Sequence, residues 1–170
     1  MEFFLDVDGD KRFEVEFDGN AVRMKFICGE NELVFHPQAF QKLVMMSIET
    51  SSALLQLLQG FPVLLRERLF HNVYLYVRSP CHMVHIQKFA GSYGILSPTN
   101  EGIALSTLEW LKLLDIITQL KNAHVVFNFE NLCLQYHSSQ EEKEQCYNCH
   151  SDVVPSCGIF QQNYAQNHNH

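Results

Sequence analysis

Residues 94–110 read GILSPTNEGIALSTLEW. Within it, GIALS (102–106) alternates at the period of a strand. Ser106 followed by Glu109 has the spacing of a capping box, so a helix is expected directly behind that strand. Trp110, Leu113, Leu114 and Ile117 then fall on one face of it. The same phrase occurs seventy positions earlier. Residues 31–47, NELVFHPQAFQKLVMMS, lie over 101–117 with Leu33 on Ile103, Phe35 on Leu105, Phe40 on Trp110, Lys42 on Lys112 and Leu43 on Leu113. A strand-then-helix unit written twice predicts an internal duplication.

The flanking text extends both copies. FEVEF (13–17) and VRMKFI (22–27) alternate around the turn Asp18-Gly19-Asn20, and ELVFH (32–36) follows as a third strand. Pro37 stands at a first helical position, and Phe40, Leu43, Val44 and Ile48 carry the helix toward Leu58, before Gly60 and Pro62. In the second copy, NVYLYVR (72–78) and MVHIQKF (83–89) alternate around Ser79-Pro80-Cys81. A loop (90–101) then leads to GIALS. Lys25-Phe26 aligns with Lys88-Phe89 if the second copy carries seven extra residues in that loop.

One sheet with one helix is too small to bury its own apolar faces, whereas two such units can share a core. The expected fold is therefore α+β: two repeats of a curved antiparallel β-sheet followed by one helix, packed as an intrachain pseudo-dimer with the helices at the seam. Repeat 1 spans about 1–60 and repeat 2 about 69–122. HVVFNFENLCLQYH (124–137) and MEFFLDV (1–7) are expected to add edge strands. Residues 138–170, polar at first and then rich in Asn, Gln and His, are expected to form a disordered tail.

The chain has 170 residues, 46% hydrophobic and 18% charged, which suits a globular protein. It has no apolar run long enough to span a membrane, and MEFFLDVDGD lacks the basic flank and apolar stretch of a signal peptide. Net charge is −7, from 12 Lys and Arg against 19 Asp and Glu, which disfavours a protein that works by neutralising duplex phosphates.

The run His85-Ile86-Gln87-Lys88-Phe89, Pro98-Thr99, Gly102-Ile103-Ala104-Leu105 and Glu109-Trp110 resembles the signature of the transcriptional positive coactivator family, PC4 or p15. The resemblance is good over about 82–122 and weak over 13–58. It implies a sheet-plus-helix unit that pairs through its helix and binds single-stranded DNA on the concave sheet surface. It further implies a role in transcription, replication or repair; the expected location is nuclear, and no cofactor and no enzymatic activity are expected. Partners would be single-stranded DNA and proteins of the transcription or replication machinery. Where the family carries Lys or Arg before the Gly-Ile strand, this chain has Asn100-Glu101, matched by Asn31-Glu32 in the first copy. The alternative is a protein-interaction scaffold that kept the fold and lost DNA binding.

The candidate nucleic-acid-binding residues are Arg23, Lys25, Arg78 and Lys88 for phosphates and Phe26, Tyr74, Tyr76 and Phe89 for stacking on bases. Period two puts Arg23 with Lys25 on one face and Tyr74 with Tyr76 and Arg78 on another. Asp6, Asp8 and Asp10 begin like a calcium loop, but Lys11 stands where the turn needs Gly and Phe17 where the loop needs Glu. Cys146 and Cys149, with Cys157 and nearby His, have zinc-ligand spacing, yet no second Cys-x-x-Cys pair completes a site, and no metal is assigned. No Gly-rich phosphate loop or Gly-x-Ser-x-Gly elbow is present.

Overall fold

The computed structural model describes residues 1–18, 21–92 and 94–124. The strands expected beyond His124, the tail 138–170 and Cys146, Cys149 and Cys157 lie outside these residues. The described chain is α+β. Four strands, β1 (Glu2–Phe4), β2 (Lys11–Asp18), β3 (Ala21–Cys28) and β4 (Asn31–Phe35), form an antiparallel sheet in sequence order. Helices α1 (Pro37–Met45) and α2 (Ser47–Leu58) follow. A second sheet, β5 (Leu64–Phe70), β6 (Val73–Arg78), β7 (Met83–Ser92) and β8 (Ile95–Ser106), has the same order and is followed by α3 (Thr107–Ala123). We call the two sheets A and B.

Alternation decides what each sheet buries. On sheet A, Phe13, Val15, Met24, Phe26, Leu33 and Phe35 face inward; on sheet B, Leu75, Val77, Val84, Ile86, Ile103 and Leu105 do. These residues belong to one continuous core with Phe40, Leu43, Leu54, Trp110, Leu113 and Leu120 from the helices. The matched pairs Phe40/Trp110 and Leu43/Leu113 are all fully buried, as the aligned phrases require.

The halves interlock. Helix α2 packs across β5, β6 and β7 of the other sheet, and α1 lies against β5. The indole N–H of Trp110 on α3 donates to Ser51 Oγ on α2 at 3.0 Å, so the two helices meet at the seam. Lys11 on β2 reaches Glu109 at the start of α3 (2.9 Å). Glu109 also accepts from the backbone N–H of Ser106 while Ser106 Oγ accepts from the N–H of Glu109, which completes the capping box.

Three expectations change. The first helix is two helices, broken at Met46. Ser47, Thr50 and Ser51 there hydrogen-bond backward to the carbonyls of Val44, Met46 and Ser47, side-chain bonding that bends helices. The break turns the buried face to Thr50, Ala53, Leu54 and Leu57 and leaves Ile48 81% exposed. The expected loop at 90–101 is mostly strand, because β7 and β8 continue as a long hairpin. The alignment of Lys25-Phe26 with Lys88-Phe89 fails in register. Phe26 pairs with Leu33 and Ile86 with Ile103, so the counterpart of Phe26 is Ile86. Those pairs stand seven and seventeen positions apart, so the hairpin inserts ten residues rather than seven.

Candidate nucleic-acid interface

Each sheet has an outer face, turned away from the core. On sheet B the register puts Arg66 opposite Tyr76, Arg68 opposite Tyr74, Tyr74 opposite Gln87 and Tyr76 opposite His85. These side chains and Arg78 therefore share the outer face. Alternation carries Phe89 onto the same face as Gln87, and a bulge in β8, where residues 99–101 oppose Lys88 alone, shifts the register beyond it. The β7–β8 hairpin then brings Pro98 opposite Phe89. Leu64, Arg66, Tyr76, Arg78, Phe89 and Pro98 line a cleft of about 230 Å³.

The cleft is held in shape from one side. Tyr76 OH donates to Gln87 Oε1 at 2.8 Å, and Gln87 Nε2 donates to the carbonyl of Thr99 at 2.8 Å. Thr99 Oγ1 in turn donates to the carbonyl of Lys88, so the network ties the returning strand to the sheet. Gly102 makes the tie possible: a Cβ there would sit 2.8 Å from the Ile86 carbonyl oxygen and 2.9 Å from Gln87 Cα. The Tyr76 ring stacks on His85, with centroids 4.5 Å apart and planes within 3°. Burial pushes the Tyr76 phenol up, with neighbouring Arg78 opposing, so the group stays a donor. Burial, and then Arg78, push the His85 imidazole down, so it is a neutral ring at neutral pH.

No Asp or Glu projects from this face among the described residues. The carboxylates of β5, β8 and α3 point elsewhere: Glu67 toward Lys42, Glu101 to Lys88, Glu109 to Lys11, and Asp115 accepts from Gln119 on α3. Arg78 is exposed and has no carboxylate within 4.0 Å among the described residues.

The outer face of sheet A is built differently. Lys25 bridges Glu14 (3.2 Å) and Glu32 (3.6 Å), and Arg12 reaches Glu2 (3.3 Å) and Glu14 (3.9 Å). The hydrogen bond that Lys25 donates to Glu14 is the main reason the Lys25 ammonium is pushed up. Arg23 lines a hollow of about 380 Å³ with Glu14, Glu16, Lys25 and Glu32.

The candidates named from sequence thus separate. Tyr76 and Arg78 stand at the sheet B cleft. Tyr74 is on that face but only 4% exposed, its ring set edge-on to Phe89 at 5.2 Å; Phe89, 5% exposed, forms the cleft wall. Both are floor and wall rather than free stacking faces. Lys88 points the other way, to Glu101 at 3.0 Å and into a separate cavity beside Val73. Arg23 and Lys25 are on sheet A among carboxylates. Phe26 is in the core, 1% exposed, against Phe13 and Phe35, because parity puts it opposite Lys25. Arg66 and Arg68 were not anticipated. Their signal was present in LLRERLF (64–70), where the two arginines alternate with Glu67 and Leu69.

Among the described residues no group of three or more His, Cys, Asp or Glu is placed to hold a metal ion, and no helix is long and apolar enough to cross a membrane. Comparison with protein-family models, with curated proteins and with solved structures finds no match.

Proposed function

We propose that the protein is a PC4-like binder of single-stranded DNA with little sequence preference, acting in the nucleus in transcription, replication or repair. The observation that carries this reading is the cleft on the outer face of sheet B, where Arg66 and Arg78 stand with Tyr76, Phe89 and Pro98 and Arg78 is exposed. Cations set among aromatic side chains suit an extended strand: guanidinium groups meet phosphates, and rings accept any base on a π-face. Aromatic side chains in a cleft suit an unpaired base, whose ring face is free to stack. Protein partners of the transcription or replication machinery belong to the same proposal.

The test is fluorescence anisotropy of a labelled oligothymidylate at two salt concentrations, with an unlabelled duplex as competitor. Binding is expected to weaken with salt and to survive the duplex. Arg66→Glu with Arg78→Glu should lower affinity by roughly tenfold or more, since two phosphate contacts become repulsive. The circular dichroism spectrum should not change, because Arg78 is exposed and Arg66 lies on the outer face. Wild-type affinity in the double variant would refute the site.

The scaffold reading has an observation of its own. Ile48, Leu55 and Leu58 lie along one side of α2 and are all more than half exposed, with Phe61 just beyond its end. It predicts no oligonucleotide binding at low salt.

A further inference from the structure

We propose that the chain pairs with a second copy of itself through the outward face of α2, the two helices running antiparallel about a two-fold axis that passes between Ser51 and Ser52. This does not depend on what sheet B binds. It begins with a gap in the charge pattern: between Lys42 and Arg66 the chain carries one charged residue, Glu49. Burial does not account for the gap. Thr50, Ala53, Leu54 and Leu57 face the core, whereas Ile48, Leu55 and Leu58 are all more than half exposed. Met45 at the end of α1 and Phe61 just past α2 are exposed to the same degree and lengthen the stripe at both ends.

The spacing identifies the occupant. Met45, Ile48, Leu55 and Leu58 stand three, seven and three positions apart, so the order is the same from either end, with its midpoint between Ser51 and Ser52. A two-fold interface has that property, because residue i of one copy meets j of the other and j meets i. Turned antiparallel about the midpoint, Ile48 of one copy meets Leu55 of the other, and Met45 meets Leu58. The serines at the crossing are small, which lets the helix axes approach closely.

Charge and area point the same way. A nucleic-acid strand finds no Lys or Arg on α2, and a strongly charged peptide finds only Glu49. A second copy brings the same uncharged stripe and sets no cluster of like charges in the seam. The Trp110 indole donating to Ser51 holds α3 alongside α2, and Leu108 and Leu111 on α3 are also more than half exposed. At roughly 100 Å² apiece these seven apolar side chains offer about 700 Å², close to the ~800 Å² per partner that a stable interface buries. A monomer seldom leaves a patch of that size to water.

Sedimentation velocity of the full chain over a range of concentrations tests the pairing, and a species of twice the chain mass is expected. Ile48→Glu with Leu55→Glu puts four carboxylates into the seam and should weaken association by about a hundredfold or more. The circular dichroism spectrum should not change, because both side chains are exposed. Chains carrying Ile48→Cys, mixed with chains carrying Leu55→Cys, should cross-link under mild oxidation. Neither variant alone should cross-link beyond wild type, since like positions then lie about 10 Å apart along the helices. Should the glutamates disturb α2, the cysteine pair decides alone. A monomer at every concentration, a dimer that survives the two glutamates, or cross-linking of either cysteine variant by itself would overturn the proposal.

Discussion

At the scale of single residues, His36 joins two roles. It closes β4 and caps α1, with its Nδ1 accepting the backbone N–H of Gln38 at 3.1 Å. That bond needs an unprotonated Nδ1. The ring lies on Phe70 with centroids 4.2 Å apart, and burial, with His71 adding to it, pushes the imidazole down. A lowered folded-state value means that the unfolded chain takes up this proton more readily. The contribution is therefore complete above the ordinary histidine range near 6.5 and is lost as pH falls below it. Denaturant midpoints measured at pH 7.5 and pH 5 should show a loss on acidification of about 1 kcal/mol, the usual worth of a cap. His36→Asn keeps a cap acceptor and removes the titration, so it should flatten the difference. An unchanged pH dependence in that variant would show that His36 is not its source.

Residue parity was legible in the sequence, and residue burial was not. Alternation alone puts Tyr76 and Arg78 together and Lys25 opposite Phe26. It does not reveal that a hairpin arriving from ten residues further on covers Tyr74 and Phe89, nor that a bulge in β8 brings Pro98 rather than Asn100 opposite Phe89. Burial of that kind depends on long-range placement, and a bulge shifts parity without leaving a mark in hydropathy.

At the scale of elements, the hairpin of β7 and β8 is what distinguishes the repeats. Gly91 lets its strands close, since a Cβ there would collide with the backbone carbonyl of Ile95. Gly91→Ala should therefore open the hairpin at a cost of about 1–3 kcal/mol and weaken oligonucleotide binding. Hydrogen exchange at 89–98 would show the opening, with the α3 amides remaining protected. Protection unchanged along 89–98 would mean that the turn tolerates the methyl group. Sequence patterns recovered β2, β3, β4, β6 and α3, where alternation or a capping box is clean. They missed β5, since LLRERLF puts only Leu69 fully inside and so lacks a run of core residues. The outer half of the hairpin has the composition of a loop, rich in Gly, Ser, Pro and Asn, although edge hairpins tolerate those residues. The break at Met46 was hidden as well, since propensity continues smoothly through it.

At the scale of the molecule, neither half encloses a core. Helix α2 lies on the strands of the second sheet, and Trp110 and Ser51 join the helices at the seam. Residues 1–60 alone should therefore expose Phe13, Phe26, Phe40 and Leu54 and fail to fold cooperatively. Near-ultraviolet circular dichroism and a flat thermal trace would show this, and a sharp unfolding transition would count against a shared core. The duplication was legible because the strand-helix phrase is constrained twice, by the core and by the cap. The ion pairs on the outer face of sheet A were not, since a total of −7 does not say which charges meet.

The connection at residues 59–63 has a consequence for how the two faces can differ. In an assembly of identical subunits each substitution is made twice, once on either side of the symmetry axis. Any residue that improves one groove then alters the other equally. Joined through a short peptide, the halves carry separate letters at corresponding positions: in the matching rows Phe13, Phe26, Leu33 and Leu75, Ile86, Ile103, Glu14 follows the first residue of one and Tyr76 that of the other. One half can then be tuned for packing and solubility while the other is tuned for its ligand, and neither adjustment passes to its twin.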